Sequence, residues 1–315
     1  MGRVLAGPEA DLGGEVVKAV DLFAGMGGNT EGARMAGIHT VWAANHWRQA
    51  VEVHEMNHPE TLHECQDLHQ ANWADVPAHD LLLASPSCQG HSRARGTDKP
   101  RHDAARSTAW AVVSCAEVHR PEFVLVENVP EMATWTLWPA WCQAMTALGY
   151  TLSPHVLDAA DFGVPQNRVR LYVICTRSEA PLVLDQRTGA QPAIEPHVDW
   201  AAGKWRVIDG TLAEKTRQRI AHGRKAFGDR FTFSYYGNTT TARSLDRPIG
   251  TLTTKDRWAV VDGDRMRMLS ADECRRAMGF RESYRLPKST TLAKHMLGNA
   301  VCPPVIAQII ERIAA

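Results

Sequence analysis

The sequence lacks long apolar runs, paired cysteines and a secretory signal, and each absence excludes a class of protein. No apolar run approaches the roughly 20 residues that cross a bilayer, so we predict no membrane partner. The 7 cysteines are scattered singly without a C-x-x-C pair, which argues against a disulfide framework or a zinc ribbon. The N-terminus carries acidic residues and no sustained apolar segment, unlike a secretory signal. We therefore expect a reduced, cytoplasmic protein with free thiols.

A charge excess is also missing, since 35 Lys and Arg residues balance 35 Asp and Glu residues. The charge is nevertheless uneven along the chain. Residues 204–230 hold eight basic and three acidic residues, and residues 91–106 hold five basic and two acidic residues. Such segments can bind phosphate groups in a protein that is neutral overall, although solvated surface charge is the more common explanation.

Apolar strands alternate with helical patterns over the first part of the chain. The predicted strands are 18–23, 39–44, 80–85, 122–129, 152–159 and 170–176. Strand–helix alternation with nearly continuous apolar strands predicts an α/β fold with a doubly wound, mostly parallel sheet.

The composition changes at about residue 178. Residues 178–257 are polar, basic and rich in Gly, Pro and Thr, which indicates a second, smaller domain. We therefore divide the chain into a leader (1–17), a main domain (18–177), this smaller domain, and a segment (258–315) that returns to the main domain.

A glycine-rich turn, Gly25-Met26-Gly27-Gly28, follows the first strand. Glycines allow a close approach of the backbone to a ligand. A dinucleotide fingerprint would place a third glycine at Thr30 and an acid after the second strand, where His46 stands. The pattern therefore favours a nucleotide-like ligand other than NAD, or a tight turn without a ligand.

Two reactive side chains are predicted at one edge of the sheet. Cys88 follows strand 80–85 in a polar turn, and Arg93 and Arg95 can hold its thiol partly as the attacking thiolate. Glu127 ends strand 122–129 at the same edge, where partial desolvation favours its protonated form. The chain thus offers a nucleophile and a potential acid partner.

The other cysteines fit a different role. Cys115, Cys142 and Cys175 lie in apolar segments, so we expect small buried hydrophobic side chains at these positions.

A third motif, at residues 54–58, matches the H-E-x-x-H spacing of zinc proteases. Pro59 follows at once, and no third ligand motif is evident. We regard the match as a coincidence and predict no metal, which makes a zinc hydrolase the weakest alternative.

Five short sequence blocks follow one another along the chain: 21–28 (DLFAGMGG), 86–89 (PSCQ), 127–129 (ENV), 166–170 (QNRVR) and 298–301 (GNAV). Taken in this order, they resemble the DNA cytosine-5 methyltransferases. Residues 269–301 also resemble the closing region of that family. Any single block is weak, but the ordered set is very specific and extends over nearly the whole chain after the leader.

The resemblance implies a Rossmann-like domain that uses S-adenosylmethionine and a target-recognition domain at 178–257. Cys88 would attack C6 of a flipped cytosine in double-stranded DNA while Glu127 protonates or hydrogen-bonds N3. The methyl group would then be transferred to C5. Arg168 and Arg170 match arginines near the flipped base, and Arg170 could contact the cytosine O2.

Binding roles follow from the same resemblance. Phe23 would stack on the adenine, Asp67 would accept from its amine, and Asn299 would brace the pocket. The predicted cofactor set is Asp21, Phe23, Gly25, Gly27, Gly28, His46, Trp47, Asp67, Leu68, Asn299 and Val301. The basic loop 91–106 would close over the DNA. The predicted DNA-contact set is Ser87, Gln89, Ser92, Arg93, Arg95, Gln166 and Thr251.

Three positions depart from the family pattern. Ser87 stands where proline is usual, and His91 stands where an aromatic residue is common. His46 replaces the glutamate that usually binds the ribose hydroxyls, ahead of the retained aromatic Trp47. A neutral imidazole accepts one hydrogen bond and a cationic one accepts none. We therefore expect weaker or altered ribose binding, which leaves room for a modified donor.

Two further interpretations stay open. The same chemistry could act on RNA, since the neutral charge leaves room for it, or the fold could be a non-catalytic DNA-binding module. Intact Cys88, Glu127 and Arg168 argue against the second. We expect a monomer in a bacterial or phage-infected cell, with a cognate restriction endonuclease as a candidate partner. The target sequence cannot be inferred, because no general code maps residues onto bases.

Overall fold

The computed structural model describes residues 17–87, 108–184, 190–235 and 242–314. The chain forms two compact units. The first contains the chain up to Asp158, Val169–Arg187 and everything from Val301, and the second contains Ala159–Arg168 and Thr188–Ala300. None of the helices in the described ranges is long and apolar enough to span a membrane.

Helices and strands alternate as the sequence predicts. The strands are β1 Lys18–Leu22, β2 His39–Ala44, β3 Leu62–Glu64, β4 Leu81–Ala84, β5 Phe123–Asn128, β6 Thr151–Asp158, β7 Val169–Thr176, β8 Arg206–Val207, β9 Arg230–Ser234, β10 Ala242–Arg243, β11 Trp258–Asp262 and β12 Arg265–Met268. The α-helices are α1 Gly28–Met35, α2 Arg48–Asn57, α3 Ala109–His119, α4 Trp138–Ala147, α5 Glu214–Phe227, α6 Ala271–Ala277, α7 Thr290–Asn299 and α8 Pro303–Ala314.

The first unit is built on a seven-stranded sheet in the order β3-β2-β1-β4-β5-β7-β6. Strands β1 to β5 are parallel, and β7 pairs antiparallel with both β5 and β6. The predicted doubly wound, mostly parallel sheet is therefore confirmed. The strand order reverses between β1 and β4, and open α/β sheets bind ligands at such a switch point, beyond the carboxyl ends of the strands.

Close packing of α1 on α8 ties the C-terminal helix to the first unit. A Cβ added to Gly32 of α1 would lie 2.5 Å from the Cβ of Ile306 on α8, so only glycine allows this approach. Both β4 and β5 are buried along their whole length, as their apolar sequences predict.

The second unit contains an antiparallel five-stranded sheet in the order β10-β9-β11-β12-β8. Its core includes Phe231, Phe233, Ala259 and Val261. Residues 258–300, which we assign from the sequence to the returning segment, lie in this unit because β11 pairs with β9 and β12 pairs with β11. From Val301 onward the chain belongs to the first unit.

A buried histidine before β4 gives the first unit a pH-dependent stability. His79 is 8% exposed and its Nδ1 bonds the carbonyl of Pro77 at 2.8 Å, while its Nε2 is buried without a partner in the described part of the chain. Burial lowers the pKa of His79 from 6.5 to about 4, against the effect of the Pro77 bond.

The unfolded chain therefore binds a proton at His79 below pH about 6.5, and the folded chain binds it only below about 4. Neutral, buried His79 therefore contributes up to about 3 kcal/mol to the free energy of unfolding. We expect this contribution to be fully present above pH 6.5 and to be lost as the pH falls to 4. Urea unfolding at several pH values would measure it. His79→Asn, which can keep the bond to Pro77, should show a shallower loss on acidification. Equal losses in the two proteins would contradict the assignment.

Candidate active site

The turn after β1 is held in an unusual backbone conformation. Phe23 has φ 59°, which is uncommon for a residue with a side chain, and Gly25 and Gly27 have φ 55° and 101°. The Phe23 side chain is half-buried and packs against the core of the first unit. Left-handed geometry of this kind concentrates at ligand sites and tight turns, so the turn is preshaped for close backbone approach.

Beneath the turn lies a buried carboxyl group. The Asp21 side chain is fully buried and accepts hydrogen bonds from Asn29 Nδ2 at 3.1 Å and Thr30 Oγ1 at 2.9 Å. Burial raises the pKa of Asp21 from 3.8 to about 7, although the bonds from Asn29 and Thr30 act in the opposite direction. Asp21 is thus the buried carboxyl whose charge changes near neutral pH.

Asn29 links this carboxyl to the neighbouring strand. Its Nδ2 donates at 3.1 Å to Ser85 Oγ as well as to Asp21 Oδ1. The predicted cofactor turn is therefore joined to the turn that leads from β4 to Cys88. Sequence reasoning assigned no role to Asn29, Thr30 or Ser85. For Asn29 and Thr30, the available sequence signal was a pair of polar residues directly after the glycines.

The turn after β4 is fixed at two points. Asn128 Nδ2 donates to the carbonyl of Pro86 at 3.0 Å, and the backbone N–H of Ser87 donates to Thr108 Oγ1 at 3.0 Å. Both bonds orient the chain immediately before Cys88. Cys88, Gln89, Ser92, Arg93, Arg95 and the rest of the basic loop 91–106 lie outside the described residues.

Glu127 and Arg170 form a partly buried pair at the same edge of the sheet. Arg170 Nε lies 3.2 Å from Glu127 Oε1, and the two side chains are 16% and 10% exposed. Glu127 follows Val126, which is paired with Ala84 of β4, so the carboxyl belongs to the strand beside the Cys88 turn. The pair therefore places a carboxyl oxygen and a guanidinium nitrogen side by side at this edge of the sheet.

Arg168 has a different environment, within the second unit. Its guanidinium is 3% exposed and donates to the carbonyl oxygens of Leu252, Gly298 and Ala300 at 3.1, 3.1 and 2.9 Å. These contacts support a positioning role for Arg168, which holds the turn at the end of α7. Its predicted contact with the base stays a prediction.

Gln166 and Thr251 also make contacts inside the second unit. Gln166 is fully buried, accepts from the Leu252 N–H at 2.8 Å and donates to the carbonyl of Ala277 at 3.3 Å. The hydroxyl of Thr251 donates to the carbonyl of Asn167 at 2.8 Å. A direct contact between Gln166 and a DNA base would require these internal bonds to open.

Other predicted cofactor residues follow the ends of β2 and β3, which are adjacent parallel strands. His46 is exposed and Trp47 half-buried after β2. Exposed Asp67 and buried Leu68 follow β3, where Asp67 accepts from the His69 N–H at 3.0 Å. These residues and the glycine turn share the carboxyl edge of the sheet, so they fit an adenosine group placed across it.

The last predicted cofactor residues lie near the end of the chain. Asn299 is exposed at the end of α7, and the backbone of Val301 packs against Gly28.

Of the two H-E-x-x-H histidines, His54 is held by hydrogen bonds at both ring nitrogens. His54 Nε2 lies 2.9 Å from Thr30 Oγ1, and His54 Nδ1 lies 2.7 Å from His63 Nε2, so both ring nitrogens are engaged. No cluster of three His, Cys, Asp or Glu residues in the described ranges could hold a metal ion. Cys115 and Cys175 are buried and Cys142 is half-buried.

Gly28→Ala is expected to distort the glycine turn. An added Cβ would lie 2.5 Å from the carbonyl oxygen of Val301, and backbone cannot move aside as a flexible side chain can. We expect about 2–4 kcal/mol of destabilisation and a loss of cofactor affinity of more than about tenfold. Urea unfolding and calorimetric titration with S-adenosylhomocysteine would measure both. Gly37→Ala is the control, because it adds only the strain of φ 76° in open space and should leave the affinity unchanged.

The sequence matches the model of a family described as C-5 cytosine-specific DNA methylase over residues 17–315. It is 30% identical over 314 residues to the type II methyltransferase M.NlaX of Neisseria lactamica, covering 95% of this chain and 96% of that protein. Identity to M.HhaI of Haemophilus parahaemolyticus is 28%, with coverages of 95% and 94%. The fold is similar to that of a DNMT2 mutant from Spodoptera frugiperda, with a TM-score of 0.73, 17% identity, and coverages of 95% and 100%.

Proposed function

Because the chain belongs to the C-5 cytosine-specific DNA methylase family and is thus a DNA cytosine-5 methyltransferase that uses S-adenosylmethionine, we propose that it acts through a covalent adduct between Cys88 and a flipped cytosine in duplex DNA. The relatives are type II methyltransferases, so we further propose a role beside a cognate restriction endonuclease. In this proposal the enzyme is a cytoplasmic monomer.

The arrangement of Glu127 and Arg170 carries the proposal. O2 and N3 are neighbouring positions on one edge of cytosine, so groups that bind them must lie side by side. A carboxyl oxygen 3.2 Å from a guanidinium nitrogen matches that requirement. Asn128, at the end of the same strand, bonds the carbonyl of Pro86, two residues before Cys88. This bond supports our proposal that the nucleophile acts beside the pair.

Cys88, Glu127 and Arg170 have separate roles in the proposed reaction. The Cys88 thiolate attacks C6 and forms an S–C6 bond, while the electron pair displaced from the ring is received at N3 by a proton or hydrogen bond from Glu127. Arg170 holds O2 and stabilises negative charge on the ring. C5 becomes nucleophilic and gains the methyl group. A base such as water removes the C5 proton, the S–C6 bond breaks, and N3 returns its proton to Glu127, which restores the aromatic ring, the free thiolate and the acid.

S-Adenosylmethionine supplies an electrophilic methyl group when it is bound. The turn at 23–28 would accommodate its methionine part, because the left-handed glycines carry no side chain there. Asp67 and His46, at the ends of adjacent strands, would face its adenosine part. His46 in place of an acid supports a weakened ribose contact, and His46→Glu is the variant that tests it through the dissociation constant of the donor.

The direct test is mass spectrometry of nucleosides, with bisulfite sequencing, on DNA from cells that express the chain. We expect 5-methylcytosine in a defined sequence context. Tritium transfer from labelled donor to duplex DNA and to tRNA, measured side by side, separates the two substrates. Transfer to tRNA alone would overturn the DNA proposal. An adduct with 5-fluorocytosine DNA, stable to denaturing electrophoresis, would support the covalent step, and its absence would contradict that step.

A further inference from the structure

Three polar side chains connect the buried carboxyl of Asp21 with the outside of the first unit. Asp21 Oδ2 bonds Thr30 Oγ1 at 2.9 Å, Thr30 Oγ1 bonds His54 Nε2 at 2.9 Å, and His54 Nδ1 bonds His63 Nε2 at 2.7 Å. Asp21 and His54 are 0% and 1% exposed, whereas His63 is half-buried. The four groups form one unbroken chain of hydrogen bonds, which we call the Asp21 relay.

The donors of the relay follow from its chemistry. Thr30 has a single hydroxyl hydrogen, so if it donates to an ionised Asp21 its oxygen must accept from His54 Nε2–H. His54 Nδ1 is then an acceptor, and His63 Nε2–H donates to it. Both imidazoles are neutral in this arrangement, and every short contact is a proper hydrogen bond.

A second arrangement contains one more proton and runs in the opposite direction. A proton that binds His63 Nδ1 allows His63 to release its Nε2 proton to His54 Nδ1. His54 releases its Nε2 proton to Thr30, and Thr30 passes its own proton to Asp21. The protonated Asp21 carboxyl then donates to Thr30. Asp21 is neutral at the end, and no other member of the relay has changed charge.

Burial and neighbouring imidazoles favour the neutral form of His54. His58, which directly follows α2, lies beside His54, with ring centroids 5.0 Å apart, and Glu31 of α1 lies 3.8 Å from His58 and is paired with Arg34. Burial lowers the pKa of His54, and His58 and His63 act in the same direction.

The pKa values of His63 and Asp21, at the two ends of the relay, are shifted in opposite directions. Burial lowers the pKa of His63, while Glu55 and Glu60 oppose that effect. The pKa of Asp21 is raised to about 7 by burial. Asp21 is therefore the member of the relay that changes charge near neutral pH.

The relay also borders the predicted cofactor site. Asp21 stands two residues before Phe23 and the glycine turn, and one recess is lined by Gly25, Ala44 and Asn45 together with His54 and His63. The donor S-adenosylmethionine carries a sulfonium cation, whereas its product, S-adenosylhomocysteine, is a neutral thioether at that position. An ionised carboxylate beneath the site favours the cation.

We propose that Thr30, His54 and His63 are positioning residues of the cofactor site, which act through hydrogen bonds to Asp21 and set the pH range in which the site prefers the cationic donor over the neutral product. This inference rests on the proposed function, because it takes S-adenosylmethionine as the ligand of the turn. It gives a role to His54 of the H-E-x-x-H match, which metal binding does not explain.

The first test is the pH dependence of binding, measured by calorimetry on the full-length protein. The ratio of the dissociation constants of S-adenosylhomocysteine and S-adenosylmethionine is measured from pH 6 to 8.5. The amino acid part is common to both ligands, so its own titration largely cancels in the ratio. We expect the preference for the donor to rise severalfold with pH, with a midpoint near that of Asp21.

Thr30 offers a matched pair of variants. Thr30→Val keeps the shape but removes the hydroxyl, and Thr30→Ser keeps the hydroxyl. We expect Thr30→Val to raise the midpoint by about one pH unit, a tenfold change in the ionisation constant, because the Asp21 carboxylate loses a donor. Thr30→Ser should behave like the wild type. A general packing defect would weaken binding at every pH without moving the midpoint.

A second measurement does not depend on the cofactor. Carbon-13 NMR of labelled aspartate carboxyls reports the titration of Asp21 directly, and Asp21→Asn identifies its resonance. His54→Gln, which can donate to Thr30 and accept from His63, should retain the midpoint, and His54→Leu should raise it. These two variants also keep the proposal testable if Thr30→Val does not fold.

The outcomes separate the two proposals. If neither ligand binds at any pH, the proposed function is wrong, and the carboxyl resonance still decides whether the relay controls Asp21. If the ligands bind but the midpoints in Thr30→Val and His54→Leu equal that of the wild type in both measurements, the relay has no such role.

Discussion

Replacing Cys88 with alanine is expected to abolish methyl transfer, lowering the single-turnover rate by roughly 10⁴-fold or more. In the proposed mechanism the Cys88 thiolate makes C5 nucleophilic, and without the S–C6 bond the cytosine ring is too poor a nucleophile to accept the methyl group. Affinity for DNA should change little, because the phosphate contacts that dominate affinity do not involve the thiol. Quenched-flow measurement of tritium transfer, with DNA affinity measured in parallel, tests both parts.

Cys142→Ala is the matched control for that experiment. Cys142 is half-buried on α4, and burial raises the pKa of its thiol, so it is a weak nucleophile away from the candidate site. Burial likewise raises the pKa of Cys115 to about 12. Iodoacetamide should therefore label Cys88 much faster than these two. A Cys88→Ala protein that still methylates at a substantial fraction of the wild-type rate would refute the covalent mechanism.

The sequence predicted the parts of the site that depend on strand ends. Glu127 and Ser87 lie at or just beyond the ends of two continuous apolar strands, and the carboxyl ends of parallel strands share one edge, so their common location needed no tertiary information. The position of Cys88 itself stays a prediction. The antiparallel pairing of β7 with β5 has no such signature, yet it brings Arg170 beside Glu127. For that reason only the family resemblance, and no local pattern, pointed to Arg170.

The parts that depend on contacts distant in sequence could not be predicted. The H-E-x-x-H spacing places His54 and His58 on one helix, but the partner that defines the role of His54 is His63, on β3. A one-dimensional pattern cannot show that pairing. Asp21 was assigned to cofactor binding by its motif, and the structure adds that its carboxyl is buried and held by Asn29 and Thr30. The burial decides its titration, and sequence alone carries no measure of it.

Arg168 and Arg170 are close in sequence, but contacts with distant parts of the chain give them different environments. Residues two apart on a strand share a face, which favours similar roles for both. However, β7 begins at Val169, and Arg168 belongs to the second unit. Arg168→Met would leave the carbonyls of Leu252, Gly298 and Ala300 without their buried donor. We expect a loss of about 3–5 kcal/mol of unfolding free energy, since each unmet buried group costs about 1–3 kcal/mol.

Arg170→Met should give the opposite effects, since the contacts of Arg170 within the described residues are the Glu127 carboxyl and the carbonyl of its neighbour Val169. We expect the single-turnover rate to fall by about 10²–10³-fold, the usual effect of removing one hydrogen-bond donor that stabilises charge in the transition state. The free energy of unfolding should change by only about 1 kcal/mol. Urea unfolding and single-turnover rates on both variants provide the comparison. If Arg168→Met is as stable as the wild type but inactive, then Arg168 contacts the base after all. The hydrogen bonds from Arg168 to Leu252, Gly298 and Ala300 would then contribute little to the free energy of unfolding, because these carbonyls can find other donors.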